Sequence, residues 1–432
     1  MVDSAFMNAL LSSPSAAASG TVWFDRLRSA ALERANSVPV PTTRDEAWRF
    51  TDLAPLTRLS FQPATEAAGI VEERAAADFL PESQARLVFV DGILVQALSQ
   101  LPRQAGIRVL DLRRALKEVA STINGTLGQL AAPEASLFVA LNTAHLHEGA
   151  VIVVDPEHAS EAPVHVLHLA TKRAQPHAVY PRTLLIAGQG SRCVLVEDFV
   201  ALDGSTYLSA PVTEVSVAAN AAVSHVRIQR EAAEAFQIGQ CSVRQASSSR
   251  YEVVSVALGA RISRLDLNVV HEGLACETRI DGLTLIGQRQ LADTHSCVDH
   301  AHPQGKLRQV YKCVVGGGAH AVFNGTILVR EGAQQTDAGQ SCRGLLLSDR
   351  ARIDAKPQLE IFADDVKCAH GAAIGQLDPE AMFYLQSRGM AADRARNLLT
   401  YAFAAEVIER IPVPSLRAKL ARTVLERTQE AP

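Results

Sequence analysis

Two stretches of this chain carry residues able to do chemistry. The first is Asp293-Thr294-His295-Ser296-Cys297-Val298-Asp299-His300-Ala301-His302, whose imidazoles, thiol and carboxylates are suitable ligands for zinc or iron. The second is Asp364-Asp365-Val366-Lys367-Cys368-Ala369-His370-Gly371. In an extended strand, successive side chains point to opposite faces. That alternation puts His300 and His302 on one side and His295, Cys297 and Asp299 on the other. It favours hydrogen-bonded structural residues over one shared metal site. The same rule brings Cys368 and His370 to one face, with a basic neighbour able to favour a thiolate. Two ligands do not complete a four-coordinate site. The pair is therefore either a buried structural cysteine with a satisfied histidine, or part of a site completed by a second chain.

Other catalytic patterns are missing from the sequence. Gly188-Gln189-Gly190 and Gly316-Gly317-Gly318 lack the following Lys-Ser/Thr of a phosphate-binding loop and read as corners. Neither a GxSxG elbow nor an HExxH pair occurs. The composition is that of a globular protein: 432 residues, 47% hydrophobic and 20% charged. A formal charge of -4 gives no global basic surface for nucleic acid. The seven cysteines are scattered singly, without a CxxC pair, which suggests reduced thiols and a cytoplasmic, reducing setting. No stretch has the ~20 apolar residues of a bilayer span, and the start of the chain does not resemble a signal peptide. A soluble protein with no membrane partner is expected.

These residues must be positioned by the elements around them. Residues 1–136 read as mainly helical, with a disordered Ala-rich leader after Pro14. Trp23, Leu27, Ala30, Ala31 and Arg34 fall at helical spacing, and Thr43 with Glu46 fits a capping box. Asp111 to Ala120 reads as a further short helix. Residues 137–375 read as short strands bounded by Pro and Gly. Within them Val215–Ser224 aligns without gaps on Val254–Ser263, and Leu345–Asp354 is a looser copy. Each copy is strand, corner (Asn220, Gly259 or Arg350), strand. Repeats of this kind without intervening helices predict a β-solenoid with the copies stacked in register, Val217 on Val256 and Val223 on Ile262, all facing inward. An antiparallel sandwich is the competing architecture. Residues 376–432 read as helical: Asp378-Pro379 supplies an N-cap and first-turn proline, and Gly389 a stop. A longer helix follows with Ala395, Leu398, Leu399, Ala402 and Phe403 on one stripe, then a last helix carrying Leu416, Leu420 and Val424.

The stretch from Ala351-Arg352-Ile353-Asp354-Ala355-Lys356-Pro357-Gln358 through Cys368-Ala369-His370-Gly371 to Asp378 strongly resembles the signature of the SufB/SufD family of iron–sulfur cluster assembly proteins. Phe383-Tyr384-Leu385-Gln386-Ser387-Arg388-Gly389-Met390, Tyr311-Lys312 and Val322-Phe323-Asn324-Gly325 resemble the same family. Pro41 to Leu53, Phe403 to Ile408 and the Cys368-x-His370 pairing look like its SufD branch. The resemblance covers most of residues 137–410, and departs mildly at Arg343-Gly344, where an Asn usually precedes the leucine triplet.

That resemblance implies a right-handed parallel β-helix between helical ends, in a non-catalytic scaffold subunit. It implies pairing with a SufB-type paralogue through the β-helix ends, and docking of a SufC-type ABC ATPase on the C-terminal helices. A cysteine desulfurase would supply sulfur, and carrier proteins would receive the cluster. The isolated subunit could pair with itself. His370, and more weakly Cys368, would serve a transient assembly site at the SufB interface, with no stable cofactor on the subunit alone. Two alternatives stay open: a SufB-type paralogue, and a β-helix carbohydrate lyase or hydrolase, which would need acids grouped along one sheet.

Overall fold

The structure, a computed structural model, describes residues 2–12, 19–67, 72–102 and 105–430. A lone strand–corner–strand unit cannot bury its apolar face, so such units stack. Here they wind into a β-solenoid of about eight turns with helices at both ends. One sheet runs in order through Ala150–Val154, Arg182–Ala187, Val212–Val217, Phe236–Gln245, Ile262–His271, Leu291–His300, His320–Val329 and Arg352–Ile361. The facing sheet runs through Ala159–Ala170, Arg192–Ala201, Ala222–Arg230, Arg250–Ala257, Glu277–Ile286, Lys306–Val315, Asp337–Leu346 and Lys367–Gly375. Neighbours along each sheet are parallel, as in Val298 beside Ile327 and Gln340 beside His370. Inward side chains of both sheets, among them Leu185, Val215, Val243, Val253 and Val298, form one buried core.

The sheets reach back ahead of Leu137. Ala85–Val90 joins the second sheet and folds over an antiparallel partner, Ile93–Leu94. Ile107–Asp111 lies antiparallel against Ala150–Val154 of the first sheet. The first edges of the solenoid are therefore closed by strands of opposite direction. The Ala-rich run after Pro14 falls outside the described residues as far as Ala18. Ahead of it, Val2–Leu11 is a helix with Phe6 and Leu10 fully buried.

The solenoid expectation holds, but its register does not. The first copy crosses from the first sheet to the second, and the aligned copy from the second to the first. Val217 pairs with Gln245 and Val256 with Ile228, so the matched valines never stack. Val217 and Val223 do face the inner core. Val256 faces outward under the C-terminal helices, and Ile262 outward beneath the N-terminal ones. The copies are offset by about one and a half coils, an offset that exchanges sheets as well as faces. The corners differ too. Asn220 is left-handed (φ 60°), whereas in the second copy Ala260 takes that role (φ 66°). Gly259 is needed for another reason, because a Cβ there would strike the backbone of Glu231.

Helices cover the outer faces. Leu112–Glu118 begins where Asp111 accepts a hydrogen bond from the Arg114 amide (3.0 Å). The Val22–Ser37 helix buries Phe24, Arg28, Ala31 and Ala35, so its packed stripe is rotated from the one read in sequence. Arg28 lies over the Phe24 ring and near Asp25, which lets a charged residue join the buried side. Residues 42–48 form no capping box. Asp45 accepts from the Thr42 amide (2.7 Å) and only a 3₁₀ turn follows. That segment staples the first sheet: Arg264 lies 4.0 Å from the Trp48 ring, and Lys356 pairs with Glu46 at 2.7 Å.

At the other end Asp378 caps Pro379–Ser387, accepting from the Glu380 amide (2.9 Å), and Gly389 ends it at φ 86°. Ala392–Ile408 and Pro414–Glu430 lie on the second sheet, where Val407, Ile408, Leu416, Leu420 and Val424 cover Val226, Ile228, Val254 and Leu283. The longer helix is apolar on two sides. Ala395, Thr400, Ala404, Val407 and Ile408 are the buried ones, while Leu398 and Ala402 stay exposed. Among the described residues no helix is long and apolar enough to cross a membrane.

Candidate functional site: the rim of the last coil

The first histidine-rich stretch is dispersed by the strand that carries it. Asp293 Oδ2 accepts from Thr51 (2.6 Å) and Arg264 (2.7 Å), and His295 lies 3.0 Å from its other oxygen. Burial opposes ionisation of Asp293, but His295, Arg264 and Thr51 outweigh it and hold the carboxyl below its usual range. Burial pushes the Cys297 thiol up to about 11, and Asp299 pairs with Arg330. His300 points into the solenoid, edge-on to His271 with ring centroids 4.4 Å apart. Burial lowers its pKa to about 4. His302 lies beyond the strand end, exposed, so alternation does not govern it. These groups serve packing and hydrogen bonding at three separate places.

The second stretch lies at the end of the solenoid. Lys367–Gly375 and Arg352–Ile361 are the last strands of their sheets, each paired on one side only. Cys368 stands beside Ala338, packs half-buried against the inner core and shares its face with His370. His370 is exposed, on the inward-facing side of the uncapped coil. Lys367 does not favour the thiolate. Burial and Asp337 raise the Cys368 pKa, against one lowering hydrogen bond at Ala338. Around the rim Ile361, Phe362 and Ile374 are exposed apolar residues, Phe362 at 64%. Pro357 occupies an edge position that faces away from the ladder, where a missing N–H costs no hydrogen bond within the chain.

Just below the rim the family-like motifs find their purpose. Tyr311 stacks on Phe323 (4.8 Å), its hydroxyl 2.7 Å from Thr294, and its ring fills the space that a Cβ on Gly282 would need. Lys312 points the other way, donating to the Phe403 carbonyl (2.8 Å) and pairing with Glu406 (2.5 Å). It ties the Ala392–Ile408 helix to the sheet. The preceding Pro379–Ser387 helix buries none of its residues and exposes Phe383 (72%) and Tyr384 (58%). Sequence reading missed Gln340, which lies beneath His370. Only strand register reveals that pair.

Residues 168–403 match the family model described as "SUF system FeS cluster assembly, SufBD core domain", and residues 15–166 the "SufBD protein N-terminal region". The chain is 36% identical over 414 residues to an iron–sulfur cluster assembly SufBD family protein of Synechocystis, covering 93% of this chain and 90% of that one. It is 29% identical over 392 residues to the iron–sulfur cluster assembly protein SufD of Escherichia coli, covering 90% and 89%. The SufD of Bacillus subtilis is 26% identical over 421 residues, covering 94% of each. Solenoid and matches together define a component of iron–sulfur cluster assembly. The chain belongs to the SufBD family of the SUF system.

Proposed function

We propose that this chain is a non-catalytic, SufD-type scaffold subunit. The open coil pairs with a SufB-type paralogue, or with a second copy when the chain is alone. The observation that carries this reading is the uncapped last coil, which presents His370 and Cys368 on its inward face between exposed apolar residues. An unpaired, uncharged edge strand is a template for another chain. Covering it would bury His370 at the junction.

A neutral imidazole can ligate iron or hold a proton near neutral pH, so His370 suits a transient site whose remaining ligands come from the paired subunit. Cys368 is the weaker contributor, since its burial disfavours the thiolate. The cluster is cargo, built from sulfur delivered by a cysteine desulfurase and passed to carriers. A SufC-type ATPase would dock on the exposed Phe383–Tyr384 face, and would handle ATP in place of this chain. Residues 376–432 are the docking domain and 137–375 the scaffold in this reading, in a cytoplasmic protein.

The test is co-expression with SufB- and SufC-type subunits, reading iron and sulfide per complex alongside its size. His370→Ala should leave the complex intact and cut cluster content sharply. A full cluster complement in His370→Ala would reduce this histidine to a structural role.

A further inference from the structure

We propose that Gln340 is the positioning residue of His370, the middle link of a hydrogen-bond chain running from His370 through Gln340 and Gln309 to Ser296. This deepens the reading of His370 given above and rests on it. Gln309, Gln340 and His370 occupy the same register on three successive strands of the second sheet. Adjacent strands lie about 4.8 Å apart, so side chains on one face at one register are neighbours. All three face the interior, as does Ala338, which stands beside Cys368 in the same core.

The chain's direction follows from what is already bonded. Gln309 Nε2 donates to Ser296 Oγ at 2.8 Å. That leaves Gln309 Oε1 as the end free for the next strand, and it has no partner among the described residues. Gln340 is 4% exposed, yet neither its Nε2 nor its Oε1 is partnered among the described residues. Burying a polar group without a hydrogen-bond partner is destabilising, so a buried amide lacking both partners is an incomplete arrangement. The donor of Gln340 matches the free acceptor of Gln309. Its Oε1 then faces the last coil and needs a donor.

The opposite sheet offers none. Gly325 lies beneath the Gln340 amide, and a Cβ at that position would overlap Nε2, so the glycine of the Phe323-Asn324-Gly325 motif makes room for the amide. In the last coil Gly325 is followed by Pro357, which has no N–H, and Ala355 and Leu359 flank that proline at inward positions. The polar side chain at this level of the last coil is His370. A ring N–H of His370 donates to Gln340 Oε1, directly or through one bound water. The other ring nitrogen then keeps its lone pair toward the rim, the tautomer required for ligating iron or taking up a proton.

Histidine-labelled full-length chain should show the His370 ring, assigned by its loss in His370→Ala, as one dominant tautomer in its ¹⁵N shifts. Gln340→Met keeps length without donor or acceptor and should leave a mixture. Gln309→Met should do so more weakly, and circular dichroism and size exclusion would confirm that each variant folds. In the co-expressed complex Gln340→Met should lower cluster content several-fold without changing subunit composition. An unchanged tautomer in Gln340→Met, or unchanged cluster content in that variant while His370→Ala loses its cluster, would overturn the positioning role. Full cluster in His370→Ala combined with a tautomer shift in Gln340→Met would instead overturn the assembly role of His370 and leave the hydrogen-bond chain standing.

Discussion

The two ends of the solenoid are finished in opposite ways. At the beginning, Ile93–Leu94 and Ile107–Asp111 run antiparallel to their neighbours and interrupt the parallel ladder. In an early coil the buried carboxylate of Glu197 is held by three donors, although the buried rings of His165 and His168 lack hydrogen-bond partners among the described residues. Glu197 accepts from Thr213 (2.8 Å), Arg227 (3.2 Å) and His225 (3.0 Å), with no help from solvent. At the far end, among the described residues, the ladder stops without a cap and an inward glutamine has no partner, and Phe362 and Ile374 stand exposed. Natural proteins blunt such edges when they are not used. The first sheet's last strand has a proline at an outward position, but residues 368–375 of the second carry neither proline nor charge. That asymmetry marks the second sheet's last strand as the one left ready for pairing.

The largest effect should come from blunting that strand. The Lys367 amide donates back to Thr336 at 2.8 Å, so alternate residues from Cys368 onward present their N–H and C=O groups to the open side. Ala372→Pro removes one outward donor and spares the ladder inside the chain. Subunit pairing should weaken about tenfold to a hundredfold, corresponding to one or two lost ladder bonds. Analytical ultracentrifugation of mixed subunits reads this. Undiminished pairing with a folded Ala372→Pro chain would move the interface elsewhere.

The helix beside the open end offers the next effect. Phe383 and Tyr384 contribute no buried packing within the chain, whereas truncation at Gly375 would uncover Val226, Val254 and Leu283. Point substitution is therefore the cleaner probe. Phe383→Ala with Tyr384→Ala should leave the melting temperature in place and weaken ATPase-subunit binding by about 2 kcal/mol or more, as expected of aromatic anchors. Equal binding by calorimetry would exclude this helix as the dock.

What the sequence made legible follows the same division. Alternating strands and left-handed corners such as Asn220 disclosed the solenoid, and Asp378-Pro379 with Gly389 disclosed a helix at its end, because these signals are local. Sheet and face were hidden. A strand–corner–strand decamer reads alike whether it crosses from the first sheet to the second or back, so Val256 could not be told from Val217. Helices with two apolar sides, like Ala392–Ile408, do not announce which side is covered. The Cys368–His370 face was readable from alternation alone. Its support by Gln340 was not, since that partner lies a whole coil away along the chain.

Acid should act on the buried histidines of the interior. Burial lowers the pKa of His145 to about 4, of His165 to about 3 and of His168 to about 4. Unfolded histidine titrates near 6.5, so the neutral buried rings contribute stability in full above that pH, and it is lost as pH falls from about 6.5 towards 4. Asp91, lowered to about 2 because His177 and Thr171 outweigh its burial, adds a loss of the same sign between about pH 4 and 2. His168 lies between the rings of Phe89 and Phe199, with centroids 5.1 and 4.9 Å away. His168→Phe should fold and flatten the fall in melting temperature below pH 6.5. A fall as steep as in the unaltered chain would show that His168 does not contribute to it.

The smallest expected effect concerns the thiols. Burial raises Cys193 and Cys241, in the early and middle coils, to about 12, and both are held in the inner core. Cys368 is also raised by burial, but it lies half-exposed on a coil that no described strand or helix caps. Alkylation requires both thiolate and access, so in the native isolated chain Cys368 should be labelled well ahead of Cys193 and Cys241, though slowly for a free cysteine. Pairing with a second subunit should then protect it. Cys368→Ala removes one sulfur from the rim while leaving His370 in place. Cluster content should fall less than in His370→Ala, because the histidine needs no deprotonation of a buried acid to offer a lone pair. Mass spectrometry of alkylated peptides reads the order of labelling, and iron and sulfide analysis the comparison of variants. Labelling of Cys368 that persists after pairing would show that this rim is not the covered end, whatever the two substitutions do to the cluster.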